Sequence, residues 1–135
     1  MIDAKNYIEA VSSFFSFLEK EFGFKNIKKT INGNVFYDIR YQGSEKIISI
    51  SYENIEDYLE VIIFLLQDGK MPHYDDEAKA LHIQSLYNRL RSYISTEEYK
   101  INEKYFERYI AISLFEKKLL TYAKKLRLCL RLDLL

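Results

Sequence analysis

The sequence predicts an α+β fold: an N-terminal helix on a three- or four-stranded antiparallel meander, followed by two or three C-terminal helices. Three observations predict it. Every glycine and the single proline lie within the first 72 residues, at Gly23, Gly33, Gly43, Gly69 and Pro72. The first three glycines are ten residues apart, with short apolar runs between them. From His73 to Leu135 no glycine or proline interrupts the chain. Evenly spaced turns between short apolar runs mark antiparallel strands, whereas a long stretch without breakers is free to be helical. A chain of 135 residues is read as one domain, 1–135, large enough to bury a real core.

Between Asp3 and Phe22 the apolar positions Tyr7, Ile8, Val11, Phe14, Phe15 and Leu18 recur at helical spacing, with Glu9, Ser12, Ser13 and Ser16 between them. Asp3 supplies an N-cap and Gly23 a C-terminal stop. Phe24–Ile31 reads as the first strand, Asn32-Gly33-Asn34 as a tight turn and Val35–Tyr41 as the second strand. In that second strand Val35, Tyr37, Ile39 and Tyr41 share one face, and Phe36, Asp38 and Arg40 the other. After the turn Gln42–Glu45, the segment Lys46–Glu53 alternates Ile48, Ile50 and Tyr52 with Ser49 and Ser51, as a half-buried strand does. The run Asp57–Gln67 carries six consecutive apolar residues from Val61 to Leu66. It suits a central strand buried on both faces, although its polar ends would also suit a short buried helix.

Asp68–Tyr74 is a loop, and Asp75-Asp76-Glu77 reads as the N-cap and acidic first turn of a second helix. Ile83, Leu86, Tyr87, Leu90 and Ile94 form its stripe, with Arg89 and Arg91 near its end. Ser95-Thr96-Glu97-Glu98 has the spacing of a capping box. The stripe then continues through Ile101, Tyr105, Tyr109, Ile112, Phe115, Leu119, Tyr122, Leu126 and Leu130. A single helix of that length is unusual in so small a domain, so a break is expected near Asn102. The Leu126–Leu135 tail fits a helix, but its alternating Leu128, Leu130 and Leu132 also fit a strand.

Composition excludes several classes. With 48% hydrophobic and 30% charged residues the chain is neither disordered nor low in complexity. Twenty basic and twenty acidic residues leave no net charge, so no global field attracts nucleic acid or an acidic membrane. One cysteine, Cys129, makes neither an internal disulfide nor a thiolate cluster. The N-terminal residues lack the basic and apolar blocks of a signal peptide, and Val61–Leu66 is too short to span a bilayer. A cytoplasmic location is the expectation.

No catalytic signature is visible, so an enzyme is not expected. His73, Asp75, Asp76, Glu77 and His82 could supply metal ligands. However, Asp76 and Glu77 precede His82 by six and five residues, not the three or four that share a helix face. Capping explains these acids better, and no metal or other cofactor is expected. Cys129 sits in a leucine-rich tail with no histidine nearby, and no Gly-x-Ser-x-Gly or glycine-rich phosphate loop occurs.

Surface recognition remains. Twelve tyrosines and no tryptophan favour interfaces that combine apolar area with a polar tip. The acids Glu53, Glu56, Asp57 and Glu60 flank Tyr58, and Asp75 and Asp76 follow Tyr74. These eight residues are candidates for docking a basic protein. An alternative set is Lys117, Lys118, Lys124, Lys125, Arg127 and Arg131, a C-terminal run without an acid among it. Interleaved with leucines, it would serve an adaptor for nucleic acid or an anionic membrane surface, or merely complement the last helix's dipole.

The Phe14–Phe24 segment FFSFLEKEFGF, the hairpin Asn32-Gly33-Asn34-Val35-Phe36-Tyr37 and the run Ile48-Ser49-Ile50-Ser51-Tyr52-Glu53 carry a family likeness. In this order the first half of the chain resembles small bacterial immunity proteins found beside polymorphic or contact-dependent toxins. The resemblance implies a non-enzymatic protein that binds and blocks one cognate toxin. Contact residues differ between such families, so it assigns no residue here. The balanced charge departs from the acidic surface expected of an inhibitor of a basic nuclease.

Overall fold

A computed structural model, describing residues 1–135, has an N-terminal helical segment, an antiparallel sheet and then C-terminal helices, the expected α+β order. The chain divides into two compact units, Met1–His82 and Ile83–Leu135.

In the first unit, Asp3 caps helix α1 (Ala4–Phe14) by accepting the Asn6 N–H at 2.8 Å. A one-turn helix, α2 (Phe17–Lys20), extends it and ends where the Phe24 N–H reaches the Leu18 carbonyl, with Gly23 at φ +71°. The sheet runs in sequence order through β1 (Lys25–Asn32), β2 (Phe36–Gln42), β3 (Lys46–Glu53), β4 (Tyr58–Leu65) and β5 (Ala80–His82). The strand alternative for Asp57–Gln67 therefore holds, over Tyr58–Leu65. The sheet has five strands rather than three or four. Gly33 allows the β1–β2 turn because its φ of +56° is one that a side chain strains. Gly43 answers a different need: a Cβ there would lie 3.0 Å from the ring of buried Phe24.

One sheet face carries Tyr37, Ile39, Tyr41, Ile48, Ile50, Tyr52, Val61 and Ile63, all buried. Val35, expected on that face, lies in the turn before β2 and stays 43% exposed. The registers Ile39↔Ile50 and Ile50↔Val61 place these side chains side by side across three strands. Helix α1 covers this face: the Tyr7 ring lies 5.2 Å from Tyr37 and 6.2 Å from Tyr52, and its hydroxyl donates to the Ile50 carbonyl at 2.6 Å. Each fully buried Ile here contributes roughly 1.5–3 kcal/mol of transfer free energy. The opposite face is mixed. Buried Asp38 accepts the Ser49 hydroxyl at 2.6 Å and pairs with Arg40 at 2.9 Å, beside an apolar cluster of Ile47, Phe64 and Ala80.

Asp75, Asp76 and Glu77 do not open a helix. Asp76 instead accepts the Ala78 N–H at 3.1 Å in a turn, and the chain then pairs with β4 as β5. Asp76 is explained by turn formation, because Asp caps turns as readily as helices.

The second unit begins with α3 (Ile83–Leu90) and a 3₁₀ turn at Arg91–Tyr93. Ser95 caps α4 (Thr96–Phe106) by accepting the Glu98 N–H at 3.1 Å. The Glu98 carboxylate does not complete the expected box; it binds Arg131 at 2.9 Å. The break falls not near Asn102 but at 107–113, where Ser113 and Glu116 form a reciprocal capping box at the start of α5 (Leu114–Leu132). Asn102 stays inside α4. It is buried, donating to the Lys124 carbonyl and accepting from Arg127 at 2.8 Å. The tail is helical to Leu132, and Asp133 ends it in the left-handed region at φ +54°.

Candidate protein-docking surface

The acids expected to bind a partner cluster at the turn between β3 and β4. This turn is built by its own side chains. The Glu53 carboxylate accepts the N–H of Ile55 and of Glu56, each at 2.9 Å. Asp57, at φ +50°, accepts the Tyr52 hydroxyl. Burial and that carboxylate together raise the Tyr52 pKa, so the phenol remains a donor.

Asn54 ties the turn to two other segments. Its backbone N–H reaches the Val35 carbonyl at 2.8 Å, and its side-chain amide bonds the Ile2 N–H, the Ile2 carbonyl and the Asn34 carbonyl. The Tyr37 hydroxyl also donates to the Ile2 carbonyl at 2.9 Å. The turn is thus fixed from three sides, and it presents Ile55 at 73% exposure with Glu56 exposed beside it. Tyr58, 56% exposed, donates its hydroxyl to Glu60, whose other oxygen lies 3.1 Å from His82 Nδ1. An apolar tip rimmed by carboxylates can pack against a hydrophobic spot while attracting its cationic surroundings.

Glu53, Glu56, Asp57, Tyr58 and Glu60 are therefore brought together, but in unlike roles. Glu53 and Asp57 build the turn, Glu60 holds Tyr58 and His82, and Glu56 is left on the surface. Tyr74, Asp75 and Asp76 are not part of this cluster. They lie in the loop leaving the Leu65 end of β4, whereas the turn adjoins its Tyr58 end, across an eight-residue strand. There Tyr74 stacks on His73 at 5.1 Å, and His73 Nδ1 accepts the Asp75 N–H at 3.2 Å. No three His, Cys, Asp or Glu side chains converge as a metal-ligand set.

The alternative basic set is also divided. Arg127 is buried against Asn102 with its guanidinium 4.1 Å from the centre of the Tyr105 ring. Arg131 pairs with Glu98 at 2.9 Å, Lys124 with Glu103 at 3.1 Å, and Lys125 donates to Gln84 at 2.6 Å while lying over Tyr87. Only Lys117 and Lys118, in the first turns of α5, are exposed and outside any ion pair. The C-terminal cations mainly hold α5 to α3 and α4, so they do not form a polyanion-binding stripe.

Sequence reasoning missed two exposed features. Ile55 lies between acids and belongs to no periodic run, so only its place in a turn reveals its exposure. Ile112 belongs to the apolar stripe by spacing, yet it is 79% exposed, with Ile110 at 76% and Leu114 at 85%. The signal that could have found this loop is Ser113-Leu114-Phe115-Glu116, whose spacing marks a helix start. An open cleft of about 480 Å³ lies between α4 and α5, lined by Phe106, Tyr109 and Leu120 together with Glu103, Lys104, Glu107 and Lys124. Its charges are balanced and it gathers no nucleophile and base. No protein-family model, curated protein or solved structure matches this chain.

Proposed function

We propose that this protein is a non-enzymatic protein-binding module of the immunity type, acting in the cytoplasm to occlude a cognate toxin. Its docking element is the turn between β3 and β4. The observation that carries the reading is a preformed apolar tip: Ile55 stands exposed on a turn braced by the side chains of Glu53, Asn54 and Asp57. A surface ordered before encounter loses little conformational entropy on binding, so more of the contact energy is realised as affinity. Ile55 and Tyr58 are the anchors, and Glu56 with the neighbouring acids steers a basic partner.

Co-expression with the product of the adjacent reading frame tests the idea through growth rescue and stoichiometric co-purification. Ile55→Arg combined with Glu56→Lys should weaken the complex at least tenfold, the scale of a central anchor's loss. Glu53, Asp57 and Glu60 are poor test positions, because replacing them disturbs the turn or the strand itself. A complex of unchanged affinity would remove this turn from the interface. Absence of both rescue and complex would reject that neighbour's product as the cognate toxin.

A further inference from the structure

The loop between α4 and α5 has chemistry of a different kind. Ile110, Ile112 and Leu114 occur within five residues, and all three are more than three-quarters exposed. Isolated exposed aliphatics are ordinary, but a cluster on one loop marks an interaction surface. From Arg108 to Phe115 the chain contains no acid. Around the loop stand four exposed cations, Lys104, Arg108, Lys117 and Lys118, against Glu107 and Glu116. Glu116 is engaged internally: one carboxylate oxygen accepts the N–H of both Ile112 and Ser113 at 3.1 Å.

We propose that this loop is an anionic membrane-surface anchor, inserting Ile110, Ile112 and Leu114 among lipid acyl chains while Arg108, Lys117 and Lys118 meet the headgroups. Three features favour a lipid over the other polyanions and over a protein. Single-stranded nucleic acid is held by aromatic stacking and phosphate contacts, in which exposed isoleucines have no role. A rim of Lys104, Arg108, Lys117 and Lys118 around an aliphatic tip matches the layering of anionic headgroups over acyl chains. The Ile112 and Ser113 N–H groups are already satisfied by Glu116, which lowers the cost of bringing that part of the loop to the lipid interface, where water and headgroups serve the rest of the backbone.

Rigidity is supplied locally. The Ser113–Glu116 box fixes one end, and Arg108 lies over the rings of Tyr105 and Tyr109 at 5.1 and 4.9 Å at the other. No helix is long and apolar enough to cross a membrane, so attachment here is peripheral.

Co-sedimentation with vesicles of equal parts phosphatidylglycerol and phosphatidylcholine tests this, with pure phosphatidylcholine as the comparison. The wild-type chain should bind the anionic vesicles, bind the neutral ones much more weakly, and release as salt rises. The triple variant Ile110→Ser, Ile112→Ser, Leu114→Ser should partition about tenfold or more weakly. Lys117→Glu with Lys118→Glu should remove the preference for anionic lipid. All five positions are exposed, and unchanged circular dichroism would confirm that the variants fold. Failure of the wild-type chain to bind anionic vesicles, or equal binding by the triple variant, would overturn the proposal. So would loss of a protein complex in the triple variant when vesicles are never bound, which would make the loop a protein contact.

Discussion

Tyr7 illustrates how one residue links helix to sheet. Its ring is fully buried and its hydroxyl donates to the Ile50 carbonyl at 2.6 Å. Tyr7→Phe keeps the ring and deletes the bond, so it should cost about 1–2 kcal/mol in urea unfolding. A variant as stable as the wild type would show that the carbonyl is satisfied without it. Burial raises the pKa of Tyr7 and Tyr41 and pushes the Cys129 thiol up to about 12. These groups ionise more readily in the unfolded chain. The stability they confer is therefore complete below their unfolded values, about 8.5 for Cys and about 10 for Tyr, and is lost progressively as pH rises from there through the raised folded values. The urea midpoint should fall steadily above about pH 9. The same burial should leave Cys129 unreactive toward a thiol reagent at pH 8 until denaturant is added; rapid labelling of the native protein would contradict its placement.

Among elements, α5 depends most on particular polar partners. Ser113 and Glu116 close its start, and backbone N–H groups of Ser113 and Ile112 hold the Glu116 carboxyl below its usual value. That contribution is present above the unfolded carboxyl value and lost as pH falls through the lower folded one. Ser113→Ala should cost about 1 kcal/mol and shorten α5 at its first turn, as read by amide exchange at Lys117. Farther along, the guanidinium of buried Arg127 is held by Asn102. Asn102→Leu removes a hydrogen bond to a charged group as well as the bond to the Lys124 carbonyl, and should cost about 2–3 kcal/mol. A neutral outcome would mean that Tyr105 and its neighbours suffice. A break is expected near Asn102 only because so long a helix is unusual in a small domain, and nothing local to Asn102 marks its true role. Its buried cation lies 25 positions along the chain, beyond any local pattern.

For the whole molecule, zero net charge means that recognition rests on local features. Each unit carries one: an acid-rimmed apolar tip at Ile55 in the first, and a base-rimmed apolar loop at Ile110–Leu114 in the second. Variants at these exposed sites should leave unfolding free energy within about 0.5 kcal/mol of wild type while changing binding. Ile50→Ala, at a fully buried position, should instead cost about 2–5 kcal/mol. If the surface variants were as destabilising as the core one, both surfaces would be structural rather than functional.

The sequence by itself determined the α+β class and the first hairpins, and it favoured a strand over a short helix within Asp57–Gln67. Each of these depends on neighbours within a few positions: turn residues at set intervals, period-two alternation and β-branched runs. It also determined the starts of α1 and α4, because an N-cap acts on a backbone N–H three residues away. Tertiary structure decided the rest. Ala80–His82 became a strand because β4 offered an unpaired edge, not because three residues signal one. Glu98 turned from its expected cap to Arg131, and Lys124, Lys125 and Arg127 turned inward to partners on other helices. Whether a charge binds its own fold or remains at the surface depends on what the fold brings within about 4 Å, and that distance is not encoded in local spacing.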